Sequence, residues 1–267
     1  FYAEGEALAL RQDWVSVPEM QKDKDGKDTE VDSVKEKKFN PGFRFNGGVE
    51  MNGYDVNAKV SQLKHYGETK VEKKEVEETP ESEETKEIDL DRSHTTKFKL
   101  QDAELTVGRA FTFDNGFSIK PMIGAHTAKV SRNFATQLST EEKAERAENG
   151  EMDKKYSNKK SKFRGVGPQA GFKVEQRLVE GLKLVGSVSQ SILFSPVKYR
   201  NVADQTVTPV TKANIGAAWN PVEAFELAAG YEMQYWFDGS EVTSVTGKSL
   251  AKNLKLDGVT VRAKVSF

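Results

Sequence analysis

The sequence contains no cysteine. Disulfide frameworks, thiolate nucleophiles and cysteine metal sites are therefore excluded. It also has no run of about 18 apolar residues, so no segment is built to cross a membrane as a helix. Neither sign of charge dominates: 40 Lys and Arg stand against 41 Asp and Glu, and no global basic field points to nucleic acid. Histidine is scarce. His65, His94 and His126 are the three present, and no serine or aspartate stands near them at a convincing spacing. A general base must lie within hydrogen-bond reach of what it activates, so no enzyme is expected. No cofactor and no metal are expected either. The stretch Gln21–Asp28, with Asp23, Asp25 and Asp28 around Gly26, lacks the full spacing of a calcium loop.

What the sequence does have is alternation. Phe225, Leu227, Ala229, Tyr231, Met233, Tyr235 and Phe237 share one face, and Glu226, Gly230, Glu232, Gln234 and Asp238 share the other. The same period of two recurs in Phe43–Met51, Leu182–Phe194, Ala213–Trp219 and Val259–Phe267. About ten such segments follow one another, beginning near Phe1, Phe39, Tyr54, Phe98, Phe117, Lys162, Leu182, Thr208, Phe225 and Gly258. A transmembrane strand needs only about 9–11 residues, and only alternate ones meet lipid, so a low mean hydropathy does not argue against a membrane.

The connections alternate in length. Short turns sit at Asn52-Gly53, Asp114-Asn115-Gly116, Glu180-Gly181 and Pro221–Ala224. Long connections are expected at about 13–38, 67–97, 131–161, 196–207 and 239–256. Thr140–Asp153 has the capping pattern of a short helix, and the charged stretch Gly67–Arg92 has that of a solvated surface loop. The fold expected is all-β: a transmembrane antiparallel up-and-down β-barrel of about ten strands, one domain over residues 1–267, with short periplasmic turns and long extracellular loops. A soluble sandwich would alternate in the same way. Aromatics near the strand ends favour the membrane, and Phe43, Phe113, Trp219, Tyr235, Phe237 and Phe267 are expected at the lipid interface. A last strand ending on an apolar-face Phe has the form of a barrel-assembly signal.

The opposite phase carries both signs of charge. Arg44, Lys59, Lys173, Arg177, Glu232, Arg262 and Lys264 are the expected pore-lining residues, with Glu50, Asp55, Glu104, Lys120, Glu175 and Glu226 in the same phase. They either pair and stiffen the barrel or line a narrow aqueous path. Two strands break the pattern. Glu4 and Glu6 share a phase with Leu8 and Leu10. Arg109 falls on the lipid phase, and a bulge near Gly108 is expected to turn it inward.

Several segments resemble the Legionella-type pore-forming major outer membrane protein family, which is similar in style to the chlamydial major outer membrane proteins. They are Ala103–Arg109 with FSIKPMIG at 117–124, KFRGVGPQAG at 162–171, Phe225–Asp238 with Tyr235-Trp236-Phe237, the closing LDGVTVRAKVSF, and Phe1–Leu10. The resemblance implies a pore-forming barrel of the bacterial outer membrane. The function expected is a narrow porin-like channel passing ions or small solutes. The alternative is a structural or adhesive surface barrel with a plugged lumen, whose loops meet a host or envelope partner. Expected partners are outer-membrane lipid and lipopolysaccharide, a second copy of the chain, and a surface partner at the loops.

Overall fold

Asn52 and Gly53 both take positive φ, 55° and 76°, which is the hairpin geometry whose twist matches that of the flanking strands. Gly116 and Gly181 take φ 76° at two other short turns. In this computed structural model these turns link ten antiparallel strands. They are β1 (Tyr2–Val15), β2 (Phe39–Met51), β3 (Tyr54–Glu77), β4 (Lys86–Arg109) and β5 (Phe117–Gln137). The chain continues through β6 (Lys159–Val179), β7 (Leu182–Tyr199), β8 (Val202–Val222), β9 (Phe225–Thr243) and β10 (Ser249–Ser266). The structure describes residues 1–15, 20–22, 28–30, 39–77, 86–137, 159–199, 202–243 and 249–267.

Each strand pairs with its sequence neighbour, and β1 pairs with β10 from Tyr2↔Ser266 to Val15↔Asn253. The Phe267 amide donates to the Phe1 carbonyl at 2.9 Å, extending that seam. The sheet thus closes and has no free edge, as a bilayer demands of any strand. Two compact units are present. Residues 1–64, 99–131 and 161–267 form the barrel, and residues 65–98 and 132–160 form the other.

The strands outrun the boundaries that hydrophobic alternation gave. β3 continues to Glu77 and β4 begins at Lys86, inside the loop expected at 67–97. β5 to β10 likewise extend into the loops expected at 131–161, 196–207 and 239–256, and Met20–Lys22 pairs with Asp28–Glu30 within 13–38. Beyond lipid neither face of a ladder needs to be apolar, so the backbone pairing persists after the alternation stops. The expected helix at 140–153 lies outside the described residues, as do the acidic stretch 81–84 and positions 23–27 of the calcium-like stretch.

The outward phase is apolar and exposed: Val56 and Val60, Leu105 and Val107, Ile123, Leu184, Ile215, Val259 and Val261 all present their side chains away from the barrel. Small residues let the wall curve. A Cβ on Gly124 would stand 1.9 Å from the Leu105 carbonyl oxygen, and one on Gly167 1.7 Å from that of Ile192. Side chains at these inward positions would collide with the neighbouring backbone.

Arg109 corrects an expectation. No bulge turns it inward. It remains outward and exposed, with its guanidinium 5.4 Å from the Tyr54 ring centre and 5.7 Å from that of Phe111. It sits at the short-turn end of β4, where the cost of an outward cation falls to about 0–1 kcal/mol and aromatic rings shield it. The outward-facing aromatics Phe43, Phe113, Trp219, Tyr235, Phe237 and Phe267 lie on the same surface. Tyr235 and Phe237 stack edge-to-face at 4.5 Å.

Candidate functional site

Inward positions repeat one order on strand after strand. From the short-turn end, β1 offers Glu4, Glu6, Leu8 and Leu10. β5 offers Lys120, Gly124, His126, Ala128 and Val130. β8 offers Asn214, Lys212 and Val210, and β10 offers Lys264, Arg262, Leu256 and Leu254. Charge lies below and hydrocarbon above, so the interior is stratified into three levels.

The lowest level is a vestibule partly open to solvent. Its wall includes Glu4, Lys120, Lys173, Glu226, Arg262 and Lys264. Arg262 donates to Glu226 at 2.8 Å and lies 3.7 Å from Glu4. Lys183 bridges Glu175 at 2.9 Å and Glu226 at 2.8 Å. Lys120 holds Asp55 at 2.6 Å, and Tyr2 donates to the same carboxylate at 3.0 Å. Lys264 lies 4.5 Å above the Tyr2 ring.

The middle level is an ionic belt. Arg44 meets Glu232 with both terminal nitrogens at 2.7 Å and Glu6 at 2.6 Å. Lys212 bridges Asp102 and Glu104, the latter at 2.6 Å, and Lys59 joins Glu104 at 2.7 Å. Gln169 donates to Glu104 at 2.9 Å, Gln234 to Glu232 at 2.6 Å, and Ser61 to Asp102. Three cations thus face four carboxylates. Each carboxylate has a cationic partner, and amide and hydroxyl donors add further contacts. Such compensation is the condition for keeping charges out of water.

The upper level is largely apolar, with Asn40 and Thr208 buried within it. Leu8, Leu10, Leu63, Leu100 and Val130 are buried, and Leu193, Val210, Leu254, Leu256 and Trp236 have 0% of their surface exposed. Trp236 closes over the belt, donating through Nε1 to Gln234 at 3.2 Å. These leucines do not face lipid. They fill the barrel, which accounts for the shared phase of Glu4, Glu6, Leu8 and Leu10: all four point inward.

The seven expected pore-lining residues therefore divide. Arg44, Lys59 and Glu232 are locked in the belt. Lys173, Arg262 and Lys264 line the vestibule. Arg177 is a correction: it is exposed at the rim, where its backbone amide donates to the Gly116 carbonyl at 3.0 Å. The register shift between Leu182 and Lys183 ends the regular lumen wall there. Glu6, Asp102 and Lys212 are belt members that sequence reasoning left out of the lining.

His126 is a further correction. Its Nδ1 lies 3.0 Å from the Ser191 hydroxyl, and its Nε2 lies 3.4 Å from the Asp102 carboxylate. The serine and aspartate come from β7 and β4, so spacing along the chain did not reveal them. The group has the composition of a nucleophile, base and orienter, yet His126 has no exposed surface and Ser191 only 2%. Its ring packs edge-on against Trp236 at 5.9 Å. Asp102, Glu104 and His126 also place ligand atoms within 4.8 Å of one another, as a divalent cation would need. The Lys212 ammonium already contacts both carboxylates and supplies the positive charge there.

No curated protein sequence matches the chain. Among solved structures, the outer membrane protease OmpT of Escherichia coli aligns with a TM-score of 0.52 and 11% identity, covering 100% of this chain and 96% of that one. The translocator domain of NalP from Neisseria meningitidis aligns at 0.40 and 10%, over 100% and 88%. Neisserial surface protein A aligns at 0.37 and 11%, over 100% and 96%. The OmpT match supports the ten-stranded outer-membrane architecture. One family model, described as the Legionella pneumophila major outer membrane protein precursor, matches residues 1–267. With a barrel closed by β1 and β10 and an apolar outer wall, the chain belongs to that family and resides in the bacterial outer membrane.

Proposed function

We propose that the protein is a surface barrel whose lumen is plugged by its own side chains, and whose chain beyond the membrane carries the interactions. The observation that carries this reading is the largely apolar upper level. Water and ions need a continuous polar path, and a layer of inward leucines without exposed surface interrupts it. The belt beneath adds a second barrier, because a passing ion would have to break buried ion pairs. Strand length supports the second half of the reading. β3 and β4 each run 24 residues, whereas a membrane crossing needs about 9–11. The surplus builds structure outside the bilayer, where a host or envelope partner would meet it. The reading assigns no catalysis: Ser191 and His126 are buried inside the barrel beside Trp236.

A narrow channel is the second reading, favoured by the vestibule. Arg262, Lys173 and Lys264 would act there as an electrostatic filter, but only if the leucine layer parts. Planar-bilayer recording on the purified protein, first checked for heat-modifiable migration, decides between the two. The plugged barrel predicts no reproducible current steps. Steps that scale with salt, and that change on R262E or K264E, would overturn it and establish the channel.

A further inference from the structure

On β3 the outward residues run Val56, Ala58, Val60, Gln62, Lys64 toward the long-loop end. On β4 they run Val107, Leu105, Ala103, Gln101, Lys99, and on β5 Ile123, Ala125, Thr127, Lys129. On β6 they run Phe172, Ala170, Pro168, Val166, Arg164. Four adjacent strands thus end their apolar stripe with a cation. The first three insert one uncharged polar residue before it.

The strands are in register for this. Gln101 donates to Gln62 at 3.1 Å, and Ser61 donates to Asp102, so the same ladder sets Lys64 opposite Lys99. Thr127 donates to the Gly165 carbonyl at 3.2 Å, bringing Lys129 beside Arg164. Like charges opposed across a ladder destabilise it. Among the described residues, none of the four cations has an ion pair with an acid. One outward step beyond the arc, Lys97 lies 5.5 Å from the Tyr66 ring centre and Lys162 is exposed, whereas Arg11 and Lys255 flank Asp257 on the β1–β10 seam. On β7 the residue paired with Val166, one outward step below Arg164, is Phe194, and β9 carries Phe237 on its outward face.

We propose that Lys64, Lys99, Lys129 and Arg164 form a one-sided docking arc for the phosphates of an outer-leaflet glycolipid. The arc lies where apolar wall meets polar headgroups at the extracellular side. A cation there costs little and gains from anionic headgroups. The occupant must be membrane-embedded, because the apolar stripes directly beneath the cations are covered by acyl chains. It must carry at least two anionic groups to satisfy the opposed pair and its neighbours. A phosphorylated lipid A headgroup fits both demands.

The test is binding of lipid A to the detergent-purified protein. The wild type should bind diphosphorylated lipid A at least about tenfold more tightly than the dephosphorylated form, and that preference should vanish in molar salt. The combined K64Q/K99Q/K129Q/R164Q variant should lose the preference. R109Q removes an outward cation at the opposite rim and should keep it. Equal wild-type affinity for the two lipids overturns the proposal, as does a quadruple variant that still discriminates. If the variant fails to show heat-modifiable migration, the wild-type phosphate preference and its salt dependence decide alone.

Discussion

Arg44 on β2 and Glu232 on β9 share two hydrogen bonds of 2.7 Å across the lumen, although β1 and β10 separate their strands. A pair of this kind cannot be replaced on one side only. R44M leaves Glu232 and Glu6 without a cation, and should destabilise the barrel by about 3–5 kcal/mol. Urea unfolding followed by heat-modifiable migration measures this. The double variant R44M/E232L should recover part of the loss.

The leucine layer makes a prediction of the opposite kind. Replacing Leu10, Leu193 and Leu254 with serine wets the upper level without touching the belt. Small current steps should appear in bilayers where the wild type gives none. A silent triple variant that still shows heat-modifiable migration would assign the seal to the belt.

Lys212 holds the place of a cation among Asp102, Glu104 and His126. K212Q should therefore free a site for zinc. Added zinc should raise the thermal midpoint of K212Q and leave the wild type unchanged, since a ligand bound only to the folded state stabilises it. An equal rise in both proteins would refute the role given to Lys212.

Gly124 sets a steric test of the wall. G124V places a side chain where even a Cβ would stand 1.9 Å from the Leu105 carbonyl oxygen. Strands β4 and β5 should no longer close, and the heat-modifiable band should be lost. A58G, on the outward face, should migrate as wild type.

The barrel was legible because two independent signals agreed: alternation and the rhythm of turn lengths. The plug was not. Hydrophobic periodicity says that Leu8 and Leu10 share a face with Glu4 and Glu6, but not that the face is inward on all four. An apolar residue is equally at home in lipid and in a dry core, and three-dimensional neighbours decide between them. Arg109 misled for a related reason. Its phase was correct, and its depth, at a rim lined by Tyr54 and Phe111, was what the sequence left open. His126 needed partners from two other strands.

Belt contacts join residues far apart in the chain: Lys212 and Glu104 by 108 positions, Arg44 and Glu232 by 188. No single hairpin contains a neutralised belt. Until the barrel closes, Arg44 has only Glu6 on the neighbouring strand, Glu232 lacks Arg44, and Lys212 lacks Asp102 and Glu104 across the lumen. Sealing the wall and neutralising the interior are therefore one late, cooperative event, and half-assembled sheets have no stable resting place in the bilayer.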